Sequence, residues 1–539
     1  MRPFHRTHLL WGLYLVPVLA LLCGAAAVPA LLARTGDGKS DGPGFTKNPF
    51  PHKRGDARAG RDVFRFETFG NEGFWTDAMR LPQGMKAARF TPLDALQAGL
   101  HVDIERVPAP LRRALAPELK TDLSPENAPL LNDPKTAVEL VNANAVIGVV
   151  AVDTNRDGRR DIAAGDKMGI ACAICHTITD SSVFALPGKG TIGRRLDGRA
   201  THSINMGKLL AMAANSRAYY PNLQVELGGK TIGRAPKGLT ENSTEAEVDA
   251  YLNNPKFYPV GMFDDSSDGN GNPVQNTPLF RQDLAAPYGS AGEHAKLDDI
   301  SNGSYTVNLD LTSLVTPAGR KFLKMTGGAA GVELADDYAK ILKETGVTGY
   351  PFVRASTGHK VGDPAHQVGR RVNNKKLFDM NAYLDSLPAP PGARVDVAAA
   401  RRGREIFRAN CTRCHNVDQS KFVPPLLVPM KRIHPGYRPT ILAKRKPPLS
   451  PIQNSPGTFD DKMIVVDASD RGAHRGNALP LLLDLARKPV FLHDASVPSL
   501  NALLDPARGA TAPHPFYVRD SAKRADTIAF LRGLDTNKN

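Results

Sequence analysis

The sequence predicts a mainly α chain with extensive irregular loops, divided into two helical domains that carry the same short motif. Three observations lead there. The pentapeptide Cys-x-x-Cys-His occurs twice, as Cys172-Ala173-Ile174-Cys175-His176 and Cys411-Thr412-Arg413-Cys414-His415. A proline cluster, Leu387-Pro388-Ala389-Pro390-Pro391-Gly392, stands between them and cannot continue a helix, so it reads as a stiff spacer. Helix-compatible stretches flank the second pentapeptide, Ala399–Asn410 before it and Ser521–Gly533 at the end of the chain.

In chain order, residues 1–34 combine Arg2 and Arg6, an apolar run from Leu9 to Ala33 and small residues at Ala25-Ala26-Ala27 and Val28-Pro29-Ala30. That pattern reads as a signal peptide or an N-terminal membrane anchor, since the run is long enough for either. Each reading places the rest of the chain outside the cytoplasm, in a periplasmic or other extracytoplasmic space. Residues 35–58, rich in Gly, Pro, Lys and Asp, read as a flexible linker. The first domain is assigned to 59–388. Within it, Leu93–Leu100 reads as a short helix and Ala145–Val152 as a buried strand or extended segment. Further helices are expected at Lys208–Ala214, Glu245–Leu252, Ala335–Glu344 and Asn374–Ser386, with irregular structure through Pro255–Pro278. Residues 389–396 form the Pro-rich linker and 397–539 the second domain. In Gly403-x-x-x-Phe407-x-x-x-Cys411 the glycine, phenylalanine and cysteine recur every four residues and share one helical side.

Cys-x-x-Cys-His is the attachment signature of c-type haem. On a helix its residues i, i+3 and i+4 share a face, so two thiols meet the haem vinyl groups while the imidazole reaches the iron. Cys172, Cys175, Cys411 and Cys414 are therefore expected to tether two haems, with His176 and His415 as proximal ligands. Of five cysteines, four are in these motifs and the fifth, Cys23, is in the leader, which leaves no pair for a structural disulfide. The competing readings are a redox dithiol, which wants a βαβ context, and a four-cysteine zinc site, whose halves usually stand much closer together. Each domain is thus expected to be a cytochrome c-like haem domain, the second closed by the helix before its motif and the one at the end of the chain.

The formal charge is +15, from 69 basic and 54 acidic residues. A basic surface suits an acidic redox partner protein, though it also serves solubility. No dense Lys/Arg block or basic–aromatic interleaving is present, so nucleic-acid binding is not expected. Membrane contact is expected only through the N-terminal segment, if it is uncleaved. No nucleotide fingerprint, phosphate loop, Gly-x-Ser-x-Gly elbow or His-Glu-x-x-His helix competes for the assignment.

The sixth iron ligand decides between electron carrier and catalyst, because an open or weakly held position binds peroxide or oxygen. Candidates near the first motif are His202, Met206, Met212, His294, His359 and His366; near the second they are Met430, His434, Met463, His474, His493 and His514. A second metal is suggested by Asp153-Thr154-Asn155-Arg156-Asp157-Gly158-Arg159-Arg160-Asp161. Asp153, Asn155, Asp157, Arg159 (through its backbone) and Asp161 follow calcium-loop spacing with Gly158 at position 6, while Ala164 replaces the usual Glu at position 12. The alternative is an acidic, glycine-containing turn, which is the preferred reading of the looser Asp264–Asn272 segment.

The segment Pro489-Val490-Phe491-Leu492-His493-Asp494-Ala495-Ser496-Val497-Pro498-Ser499-Leu500-Asn501-Ala502-Leu503-Leu504 resembles the Tyr-x-His-Asp-Gly-x-x-x-x-Leu segment of dihaem cytochrome c peroxidases. It is closer to the Ser-Val-Pro-Thr-Leu variant of dihaem rubber oxygenases and their relatives. Phe64–Asp77, Cys172–Gly198 and Pro278–Gly289 resemble the same branch. The resemblance implies two packed haem domains, one haem for electron transfer and one meeting a small oxidant such as peroxide or oxygen, with calcium near the haems. This chain departs from the pattern at Ala495, where glycine is usual, and at the sixth ligand of the second haem, for which His493 and His514 are rivals. It also lacks the peroxidases' tryptophan bridge unless Trp75 supplies it, since the one other tryptophan is Trp11 in the leader. The expectation is an exported dihaem c-type cytochrome that transfers electrons as a peroxidase- or oxygenase-like oxidoreductase. The alternative is a non-catalytic periplasmic electron carrier serving a dehydrogenase or oxidase.

Overall fold

The computed structural model of the chain describes residues 55–231, 235, 237–271, 273–282, 288, 294, 296–411, 427–428, 477–478, 482–492, 495–508, 514 and 516–534. Residues 1–34, Cys414, His415 and His493 lie outside the described residues, as do Met430, His434, Met463 and His474.

Helices carry the architecture. They are α1 (Ala57–Phe66), α2 (Leu81–Ala87), α3 (Pro92–Gln97), α4 (Ala109–Glu118), α5 (Pro134–Asn142) and α6 (Ala173–His176), then α7 (Met206–Ala211), α8 (Glu245–Leu252), α9 (Leu297–Gly303), α10 (Pro317–Glu344), α11 (Asn374–Ser386), α12 (Val397–Asn410), α13 (Leu500–Leu503) and α14 (Ser521–Gly533). Capping explains several starts. Thr91 and Thr244 form capping boxes with Asp94 and Glu247, and Asp56, Asp133, Asp396 and Asp520 accept backbone N–H bonds at other N-termini. The expected segments Glu245–Leu252, Asn374–Ser386 and Ser521–Gly533 match their helices end to end. Ala335–Glu344 is the last ten residues of α10, which breaks at Gly328 (φ +61°).

Strands are short. β1 (Val102–Asp103), β5 (Phe184–Ala185) and β6 (Thr191–Gly193) make a three-stranded sheet in the order β1-β6-β5. β2 (Val149–Val152) pairs antiparallel with β3 (Lys167–Ile170), and β4 (Thr177–Thr179) with β7 (Arg195–Asp197). β8 (Glu226–Leu227) turns into β9 (Lys230–Thr231), and β10 (Met262–Phe263) pairs with β11 (Val274–Gln275). Only the second half of Ala145–Val152 is a strand; Val146 makes a single bridge to Val102.

Two apolar cores are distinct. The larger runs from Val63 and Phe64 through Trp75, Leu140, Ile174 and Tyr305 to Leu384. The smaller gathers Phe407, Leu482, Phe491, Val497, Leu500, Leu504 and Leu531. Each is closed by a crossed pair of helices built alike. Where α1 crosses α11, a Cβ on Gly60 would lie 1.8 Å from the Asp379 carbonyl oxygen. Where α12 crosses α14, a Cβ on Gly403 would lie 2.0 Å from the Asp526 carbonyl oxygen. One turn along, Phe64 packs on Tyr383 at 5.8 Å and Phe407 on Phe530 at 5.4 Å, at interplanar angles of 52° and 55°. Glycine is required at both crossings because no side chain fits between the backbones.

The segment 389–396 does not stand free. Ala393 N–H donates to the Arg532 carbonyl (2.8 Å), and Gly392 lies against the backbone of Gly533. At the other boundary, α1 begins at Ala57 and Gly55 is packed on Phe378, so the helix starts two residues inside the assigned tether.

Candidate haem-attachment site

The first pentapeptide is delivered by the β2–β3 hairpin. β3 has β2 on one edge; the other is met by side chains rather than by a strand. Asn71 Nδ2 donates to Ile170 O (2.7 Å) and Ile170 N–H donates to Asn71 Oδ1 (2.9 Å). Thr76 repeats the device with Met168, at 3.0 and 2.8 Å. Buried backbone needs such partners, and these two side chains supply them. Behind the motif, Gly148 (φ +78°) lets the chain pass so close that a Cβ there would lie 2.2 Å from Ile174 N.

Cys172 caps α6, and Cys175 and His176 fall on its single turn. All three are half-buried. The Cys172 Sγ lies 3.2 Å from the hydroxyl of Tyr305, which also donates to the Glu67 carbonyl at 3.2 Å. Tyr305 sits in a π-helical turn, Ser304–Asn308, and Trp75 in another, Phe74–Ala78. Such turns are rare and cluster at functional sites.

His176 is oriented by backbone. Its Nδ1 is 2.6 Å from the Thr277 carbonyl, which can only accept, so Nδ1 carries the proton. Nε2 is then the lone-pair nitrogen and has no hydrogen-bond partner among the described residues. A carbonyl bond at one ring nitrogen that frees the other is the arrangement of metal-binding histidines. Thr277 precedes Pro278, which confines it to extended backbone. The neighbouring Asn276 Nδ2 donates to Thr201 O (2.9 Å), and Thr201 in turn donates from N–H to Cys175 O (2.9 Å) and from Oγ1 to Thr177 O (2.9 Å).

Burial drives the electrostatics. It pushes the Cys175 thiol up to about 12, raises that of Cys172, and lowers the His176 imidazole to about 4, against a smaller opposing effect of the Thr277 bond. Reactive dithiols have depressed thiol values, so these directions speak against a thioredoxin-like role.

The sixth-ligand candidates disperse. Met206 and Met212 line an apolar cavity of about 50 Å³ together with Trp75, Met168 and Ile174. Trp75 is buried, and its Nε1 has no acceptor among the described residues. His202 is half-buried, and burial with nearby Lys488 lowers it to about 4. His294 pairs by backbone with Tyr288, while His359 and His366 stack on each other at 4.3 Å.

In the candidate calcium loop, Asp153 accepts from the N–H groups of Asp157 (3.2 Å) and Gly158 (2.9 Å), Asn155 from Asp157 (2.9 Å), and Asp157 from Arg159 (2.8 Å). Asp161 accepts from Ala163 (3.0 Å), and its own N–H donates to buried Asp166 (2.9 Å). Among the described residues no three His, Cys, Asp or Glu side chains gather as a metal-binding group. In the looser Asp264–Gly271 stretch, Asp264 and Asn270 are fully buried.

Of the second site, Cys411 is described. It caps the C-terminus of α12 and packs on the smaller core, with Gly403 and Phe407 on the same helical side, as the four-residue spacing predicts. Downstream, Phe491 and Val497 bridge a tight loop in which Leu492 (φ +61°) and Ala495 (φ +57°) are left-handed. The Ala495 angle explains why glycine suits that position. His514 is half-buried with its ring edge-on to Phe516 at 5.6 Å.

The first site fits a covalently tethered haem: two thiols and an anchored imidazole with a free Nε2 occupy one helical turn. Thr277, Tyr305, Asn71 and Thr76 act there through contacts distant in sequence. A repeat was readable, however. Gly60-Arg61-Asp62-Val63-Phe64-Arg65 parallels Gly403-Arg404-Glu405-Ile406-Phe407-Arg408 and marks the two crossings. No protein-family model, curated protein or solved structure matches the chain.

Proposed function

We propose that this chain is an exported dihaem c-type cytochrome that transfers electrons and works as an oxidoreductase of the dihaem peroxidase/oxygenase type. The observation that carries the reading is the Nδ1–H bond from His176 to the Thr277 carbonyl, on the same helical turn as Cys172 and Cys175. The matching helix crossings, α1 with α11 and α12 with α14, support extending it to Cys411, Cys414 and His415.

Bound there, haem would supply one-electron chemistry and the means to react with peroxide or oxygen. The chain's own residues have separate tasks. Cys172 and Cys175 provide thioether sulfurs and His176 Nε2 a fixed proximal donor. The Thr277 carbonyl holds the imidazole's tautomer and raises its basicity. Tyr305, Asn71 and Thr76 lock the helix and the strand before it.

The test is direct. Protein made with a competent maturation system, then denatured, should keep Soret absorbance and the added mass of two porphyrins. Absence of both would refute the proposal. His415→Ala should leave the protein red but change the spin state and potential of one haem. In the native oxidised protein, a high-spin haem that shifts with peroxide or cyanide marks the enzyme, whereas two unreactive low-spin haems mark the carrier.

A further inference from the structure

Gln275, on β11, reaches two ways at once. It is buried, at 6 % exposure. Its Nε2 donates to the Leu492 carbonyl, and its Oε1 accepts from Lys488 Nζ at 2.8 Å. Both partners belong to the C-terminal region, in the stretch Lys488–Leu492 that packs on the smaller core through Phe491. Two residues beyond Gln275 is Thr277, whose carbonyl holds His176.

The segment between is stiff. Val274 and Gln275 pair with Phe263 and Met262. Asn276 N–H donates to Gly261 O (3.0 Å), and the Asn276 side chain ties to Thr201, itself bonded to Cys175 and Thr177. Pro278 follows at once. A movement of Lys488 or Leu492 therefore reaches the Thr277 carbonyl through one short, hydrogen-bonded strand with little slack. Lys488 sits in low-dielectric surroundings between Asp484 and Gln275, so losing the amide leaves a half-buried cation without its acceptor.

We propose that Gln275 is a positioning residue through which the C-terminal region sets the geometry of the proximal His176 bond, and hence the potential of the first haem. The inference rests on the haem reading above. A well-formed Nδ1–H···O=C bond makes the imidazole a stronger donor and favours the oxidised iron. Loosening it raises the midpoint potential.

The experiment is potentiometric titration, followed in the Soret and α-band regions, of the full-length holoprotein and two variants. Gln275→Leu removes both side-chain bonds. Lys488→Met removes one and spares the strand, and it serves if Gln275→Leu does not fold. The expected result is an upward shift of the first haem's midpoint in both variants, larger for Gln275→Leu, with covalent haem content unchanged. Full haem content with an unmoved midpoint in Lys488→Met and in any soluble Gln275→Leu overturns the coupling and leaves the haem reading intact. Absence of covalent haem from the unsubstituted protein overturns the haem reading, and this inference falls with it.

Discussion

The crossing of α1 with α11 and that of α12 with α14 use one device on very different scaffolds. In both, a glycine lets two backbones touch, a phenylalanine one turn later fills the core, and an aspartate caps the first helix. The C-terminal version runs straight from α12 into Cys411. In the N-terminal version four α-helices and three strands intervene between α1 and Cys172. Closure of a region and delivery of its pentapeptide are therefore separable tasks. The first region delivers its motif on a hairpin braced by Asn71 and Thr76, whereas in the second Cys411 directly ends the closing helix.

The comparison can be broken most sharply at the phenylalanines. Phe64→Ala and Phe407→Ala should each cost about 4 kcal/mol by denaturant unfolding. Hydrogen exchange should localise the Phe407→Ala loss to α12 and α14. Equal loss of protection in α1 and α11 would make the two closures one cooperative unit.

Acid is the next lever, and it acts on the larger core. His101 is buried, its Nδ1 accepting from Thr191 N–H (3.1 Å) and its Nε2–H donating to Ser203 (3.1 Å), and burial lowers it to about 4. Its folded value lies below the ordinary 6.5, so protonation favours the unfolded chain. Stability from this source is complete above pH 6.5 and declines as pH falls toward 4, by up to about 3 kcal/mol. His101→Gln should flatten that part of the stability–pH curve, and an unchanged slope would refute the assignment.

Smaller effects sharpen the parallel. Gly60→Ala and Gly403→Ala should each destabilise by about 2 kcal/mol, since each methyl group must displace a carbonyl. If only one of them matters in thermal melts, the two crossings are not equivalent. Ala495→Gly should stabilise by up to about 1 kcal/mol by relieving a left-handed alanine. A loss of stability there would mean that the angle is not under strain.

Much of this organisation was legible in the chain because it is local. Glu245–Leu252, Asn374–Ser386 and Ser521–Gly533 carry caps and helical periodicity within themselves, and their ends match the observed helices. Ala109–Glu118 and Pro134–Asn142 were harder to read because both carry proline in their first turn and the former a second proline, Pro117, inside. The cysteines and His176 were legible as a motif, but Thr277 and Tyr305 were not. Their roles depend on where loops 101 and 133 residues away return, which no local pattern encodes. The dispersal of the sixth-ligand candidates has the same cause. Spacing along the chain does not report which methionines become wall and which histidines pair.

The order of the crossed helices along the chain has a consequence for biosynthesis. Each pentapeptide is made before the helix that seals its region: Cys172 precedes Asn374, and Cys411 precedes Ser521. A nascent polypeptide presents its thiols while the partner helix has still to emerge. On the dihaem reading proposed above, cofactor loading thus has a built-in interval, about twice as long in residues for the first site (374 − 176 = 198) as for the second (521 − 415 = 106).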